Sequence, residues 1–210
     1  GNKNYSSWSL RVWIVLRKLE IDVKEISISL FTEGFRERLI EYSPAGKVPI
    51  FIEDDIKIWD SLAICEFLAD TYLMLWPEDR KLKAFARSIS AEMHSGFFAI
   101  RSAMPMNCRA LSRKVKLDMV TQKEINRIQD IWTECRKLCS SKGKWLFGSF
   151  TIADAMFIPV VSRFKTYGIE CNSDAEEYMT FVLNDPDIKE WYNDSKKEKE
   201  IIDSSEVGIV

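Results

Sequence analysis

Three serines stand close together near the start of the chain, in the run Tyr5-Ser6-Ser7-Trp8-Ser9-Leu10-Arg11. Each hydroxyl can accept a hydrogen bond from a backbone N–H or donate one to an anion. Just beyond them Leu10, Trp13 and Leu16/Arg17 recur at three-to-four spacing, with Val12, Val15 and Leu19 broadening the stripe. That pattern predicts a helix buried over much of its surface. Serine hydroxyls, free N–H groups and the positive end of the macrodipole then point one way, which makes a small anion site. An ordinary N-cap uses the same residues, and this stretch alone does not separate the two.

Other chemistry has few donors. His94 is the single histidine, so zinc sites and Ser-His-Asp schemes lose most of their support and no metal site is expected. The cysteines are Cys65, Cys108, Cys135, Cys139 and Cys171. An odd count without framework spacing points to a reducing compartment and to buried structural thiols. Cys135 and Cys139 share a helical face but have no histidine nearby. Thirty basic against 32 acidic residues leave a net charge of -2, which gives no electrostatic case for nucleic acid. No apolar run approaches membrane-spanning length. The opening Gly-Asn-Lys-Asn-Tyr does not read as a signal peptide, and a strand is expected upstream of such a loop.

The elements that must hold these residues follow from the rest of the chain. At 210 residues, 46% apolar and with seven tryptophans, one large or two small domains with substantial cores are possible. Val23–Leu30 alternates apolar and polar and predicts a strand. Thr32 is placed to cap a short charged helix to about Tyr42. Ser43-Pro44-Ala45-Gly46 is a break, and Lys47–Ile52 and Ile56–Trp59 flank Asp54-Asp55 as a hairpin. Asp60-Ser61 caps a helix over Leu62–Leu73, with Ala63, Ile64, Phe67 and Leu68 inward. Trp76-Pro77-Glu78-Asp79 interrupts the pattern. Helices then follow at about Arg80–Met104, Thr121–Ser141, Ile152–Tyr167, Asp174–Leu183 and Asp187–Lys199, and the composition shift marks a domain boundary. Thr151 with Asp154 three residues on is a capping-box start, so Asp154 is read as structural. The Lys196–Glu200 charge run is expected to be a solvated helix end.

Together these motifs resemble the cytosolic glutathione transferases. Tyr5–Arg11 is similar to the serine-type active-site motif, above all the zeta class Ser-Ser-Cys-x-x-Arg. Ser43-Pro44-x-Gly46-Lys47-Val48-Pro49 is similar to the family's strand entry through a cis proline, and Asp60-Ser61 to its acidic-Ser pair. Thr151/Asp154 matches the cap of its helical domain. The run Asn4–Arg11, with Ala91–Phe97 and Pro105-Met106-Asn107, resembles an under-characterised bacterial group of homologues. The resemblance implies an α/β plus all-α fold: a thioredoxin-like glutathione-binding domain over residues 1–75, then an all-helical domain over 80–210.

It also implies roles. Glutathione's thiol, near 8.5 when free, must ionise to attack. Lowering it by about two units needs roughly 2.7 kcal/mol of preference for the thiolate. One hydrogen bond to a charged group supplies about 1.5–3 kcal/mol and a helix N-terminus a further ~0.3–1. A serine donor therefore suffices in magnitude. Ser6 takes the family's catalytic position and Ser7 the next, with Ser9 a third possibility. Trp8 stands where the zeta motif has cysteine, which removes the sulfur that thiol–disulfide chemistry needs. Val48-Pro49 offers its backbone to the cysteinyl part of glutathione, Lys47 faces the glycyl carboxylate, and Asp60 and Ser61 hold the γ-glutamyl group. Trp8, Met93, His94, Phe97 and Arg101 are candidates for the second-substrate pocket, with Phe98 on the same expected face; core packing is the competing use. Arg11 and Arg101 suit an anionic substrate or a structural ion pair. The implied protein is a cytoplasmic homodimer that adds glutathione to small, largely apolar electrophiles. Its rivals are a cis–trans isomerase of a maleyl-type diacid and a non-catalytic interaction module.

Overall fold

The computed structural model describes residues 1–208. Ser7–Lys18 forms α1, Phe35–Tyr42 α2, Ile50–Glu53 β1, Ile56–Trp59 β2 and Ser61–Thr71 α3. Arg80–Ser95 (α4), Phe98–Ala103 (α5), Met119–Cys139 (α6), Ile152–Tyr167 (α7), Ser173–Asn184 (α8) and Pro186–Ser195 (α9) complete it. β1 and β2 are an antiparallel hairpin in which Ile50 faces Trp59 and Glu53 faces Ile56.

Helix α7 is the hub. Its apolar run is buried along nearly its whole length, and α1 and α4 both pack on it. Trp132 of α6 sits among Phe157, Phe164 and Tyr178, with ring centroids 6.1, 5.6 and 5.1 Å away. Each fully buried Leu, Ile or Phe contributes about 1.5–3 kcal/mol. The start of α7 is held as its sequence predicts. Asp154 Oδ2 accepts from the Thr151 N–H and hydroxyl, and Oδ1 accepts from the Leu146 N–H and the Tyr178 hydroxyl. Burial pushes this carboxyl up to about 6.

Several expectations are corrected. Val23–Leu30 forms no strand: the stretch is irregular and ends in a turn at Leu30. Gly1 lies between Leu30 and Val48: a Cβ on it would stand 2.9 Å from Leu30 Cδ1 and 3.1 Å from Val48 Cγ2. The Leu30 N–H goes to Asn2 Oδ1 instead of a ladder. Thr32 does not cap α2. Its hydroxyl bonds the Ser29 carbonyl, and a left-handed Gly34 precedes the helix. Ala63 is exposed, and Cys65 takes the inward place. The single helix expected over 80–104 is broken at Gly96-Phe97. Phe97 is left-handed at φ 59°, and a Cβ at Gly96 would meet the Glu92 carbonyl oxygen at 2.8 Å. The charge run after α9 is not merely solvated. Glu198 accepts from the Lys3 and Asn4 N–H groups, and Glu200 from the Ser29 hydroxyl.

Candidate functional site

Ser6 is the N-cap of α1, and its Oγ accepts the Ser9 N–H at 3.2 Å. The Ser6 and Ser9 hydroxyls are 2.8 Å apart. Ser7 opens the helix, and its Oγ accepts from Arg163 Nη2 of α7 at 3.5 Å. Both serines are nearly closed to solvent. Fixing the loop before them, the Tyr5 and Ser6 N–H groups reach the Asn2 carbonyl, and Asn4 is tied to Asn107 and Arg109. Tyr5 is further held by Glu206 and Arg109.

The Val48–Pro49 bond is cis. Neither the N–H nor the C=O of Val48 has a backbone partner among the described residues. Lys47 is exposed. At the start of α3, Asp60 is held at φ 78°, and its Oδ1 accepts the Leu62 and Ala63 N–H groups at 2.9 and 3.2 Å. Ser61, the first residue of the helix, is 1% exposed, and its hydroxyl has no partner. A buried, unpaired hydroxyl at a positive helix end suits a carboxylate ligand.

Trp8 links the serine helix to the helical half of the chain. The His94 ring meets it edge-on at 5.4 Å, and the guanidiniums of Arg11 and Arg101 lie 4.4 and 4.8 Å from its ring centroid. His94 Nε2 donates to Asp60 Oδ2 at 3.0 Å, bringing α4 onto the start of α3. Burial keeps this imidazole below its ordinary value, against the pull of Asp60.

The expected pocket face is only partly brought together. Met93 is buried in the core. The break at Gly96 turns Phe97 inward and leaves Phe98 70% exposed, so 94, 97, 98 and 101 do not share one face. Arg101 forms no ion pair among the described residues; it donates to the Gly96 and Met93 carbonyls and so caps the end of α4. Arg11 is fully buried, with Nε, Nη1 and Nη2 all unpartnered. Burial first, then Arg101 and Arg163, depress its pKa well below the ordinary value.

Sequence reading missed Arg163 and the His94–Asp60 pair. A lone arginine inside the apolar run of α7 was the available signal for the first. Nothing local marks the second. Among the described residues no cluster of three or more His, Cys, Asp or Glu is arranged to hold a metal ion.

Residues 5–71 match the family model described as glutathione S-transferase, N-terminal domain. A probable maleylacetoacetate isomerase of Caenorhabditis elegans is 37% identical over 92 residues, 43% of this chain and 42% of the relative's length. The maleylacetoacetate isomerase of Mus musculus is 28% identical over 172 residues, 79% of this chain and 77% of the relative. Among solved structures, a glutathione transferase homologue from Burkholderia GL BGR1 with bound glutathione superposes with a TM-score of 0.69. It is 20% identical and covers 94% of this chain and 96% of its own. The fold is that of the glutathione transferases, a small thioredoxin-like unit followed by a helical one.

Proposed function

We propose that this chain is a serine-type glutathione transferase. The single observation that carries the reading is Ser61: a buried hydroxyl without a protein partner, at the first residue of α3 and beside Asp60. There the γ-glutamyl carboxylate meets the hydroxyl and the helix N-terminus, and Asp60 faces the ammonium. Val48 pairs its free backbone groups with the cysteinyl unit, and Lys47 meets the glycyl carboxylate. The glutathione thiol then lies at the start of α1, where the Ser6 hydroxyl donates to the thiolate. Ser6's place at the helix cap supports this assignment, while Ser7 is turned to Arg163. Residues 1–75 form the glutathione-binding unit, and the helical one begins at residue 80. The protein works in the cytoplasm as a homodimer, for which exposed Leu73, Met74 and Phe98 offer apolar surface.

Small apolar electrophiles are the leading second substrates. The isomerase reading has its own support in the guanidiniums of Arg11 and Arg101 on Trp8, and in the two relatives named as maleylacetoacetate isomerases. Calorimetric titration with glutathione tests the common core of both. Ser61→Ala should weaken binding about tenfold, the scale of one hydrogen bond to a charged group. Absence of binding by the unaltered protein overturns both enzyme readings and leaves an interaction module.

A further inference from the structure

Helix α4 reaches across to the other unit at one polar point. His94 Nε2 bonds Asp60 Oδ2, while Asp60 Oδ1 is taken by the Leu62 and Ala63 N–H groups. The Asp60 carboxylate is therefore fixed through both oxygens. His94 is itself held by the Trp8 ring at 5.4 Å. Its Nδ1 is buried without a partner, which fits the neutral tautomer that carries its proton on Nε2. A neutral imidazole donor orients a carboxylate without cancelling its charge. Asp60 Oδ2 keeps a second lone pair, and the half-exposed side chain leaves that side open to a cation.

We infer that His94 is a positioning residue for the amino end of the ligand: it aims Asp60 Oδ2 at the α-ammonium of the γ-glutamyl group. The inference rests on the glutathione reading, and adds to it a residue of the helical unit that selects for a free amine. His94 touches no reacting atom, so its effect falls on the affinity for that amine and not on the thiol.

The test compares glutathione with its deamino analogue, glutaryl-cysteinyl-glycine, which keeps both carboxylates and the thiol but lacks the ammonium. Affinities are measured by calorimetry for the wild type, His94→Ala, His94→Gln and Asp60→Asn. The wild type should prefer glutathione by about tenfold or more. Asp60→Asn and His94→Ala should each erase most of that preference while leaving analogue affinity within about threefold. His94→Gln, whose amide can still donate to Asp60, should restore the preference. If His94→Ala weakens both ligands equally, or leaves the preference intact, His94 is only packing and the inference falls while the glutathione reading stands. If the wild type binds neither ligand, the glutathione reading falls and takes the inference with it.

Discussion

The guanidinium of Arg11 lies 4.4 Å from the centroid of the Trp8 ring, and none of its three nitrogens has a hydrogen-bond partner among the described residues. Arg101 shares the ring at 4.8 Å, and Arg163 adds like charge nearby. A cation–π contact of a desolvated guanidinium is worth about 2 kcal/mol, less than the cost of burying the charge unpaired. Positive potential beside the start of α1 is thus maintained against the stability of the fold.

Replacing Arg11 by Met, which keeps much of the volume without the charge, should therefore leave unfolding free energy unchanged or raise it by up to about 2 kcal/mol. Urea unfolding measures this. A loss of more than about 2 kcal/mol would show that Arg11 has a partner of real strength.

Gly96→Ala should destabilise by roughly 1–3 kcal/mol, since the new methyl meets the Glu92 carbonyl oxygen at 2.8 Å. The same substitution disturbs the carbonyl that Arg101 caps, so Trp8 fluorescence should shift with it. Wild-type stability with unchanged emission would place the origin of the α4–α5 break elsewhere.

Asp154 accepts four donors through two oxygens. An asparagine presents one acceptor oxygen and turns an NH2 toward donors. Asp154→Asn should cost about 3 kcal/mol through unsatisfied buried N–H and hydroxyl groups. Thermal unfolding reads the loss. A change below about 1 kcal/mol would mean these bonds are not held in solution.

His94 supplies one part of the pH dependence. It is opposed by Asp154, whose carboxyl is pushed up to about 6 by burial and so contributes more stability as pH falls. Asp60 faces His94 from the start of α3, Arg11 from α1 and Arg101 from α5, with the Trp8 ring against its side. Its pKa is lowered by folding, so below the ordinary value of 6.5 the unfolded chain binds more protons than the folded one. Its contribution to stability is full above about 6.5 and is lost as pH falls. On going from pH 7.5 to 5.5, the change in urea-unfolding free energy should be less destabilising for His94→Gln than for the wild type. An equal change would mean that His94 titrates alike in both states.

What could be read from the sequence was what local spacing decides. The hairpin around Asp54-Asp55, the cap at Asp60 and the box at Thr151/Asp154 each depend on residues within a few positions, and all three stand where they were expected. The break at Gly96 was hidden because the apolar spacing continues through it, and the carbonyls it frees are taken up by Arg101 from the next helix. Val23–Leu30 had the alternation of a strand, but a ladder needs a neighbour, and Gly1–Asn2 occupy the space beside it. At the site, the serine cap was legible. The His94–Asp60 bond was not, because it joins two elements that only the packed fold brings together.

The most direct test of the account is an ultraviolet titration of the thiolate of bound glutathione, in the wild type, Ser6→Ala and Ser7→Ala. The wild type should hold the thiol about two units below its free value near 8.5. Ser6→Ala should remove most of that shift while glutathione still binds, and Ser7→Ala should retain it. A wild-type thiol that titrates at its free value while bound, or a shift that survives in both variants, would contradict it.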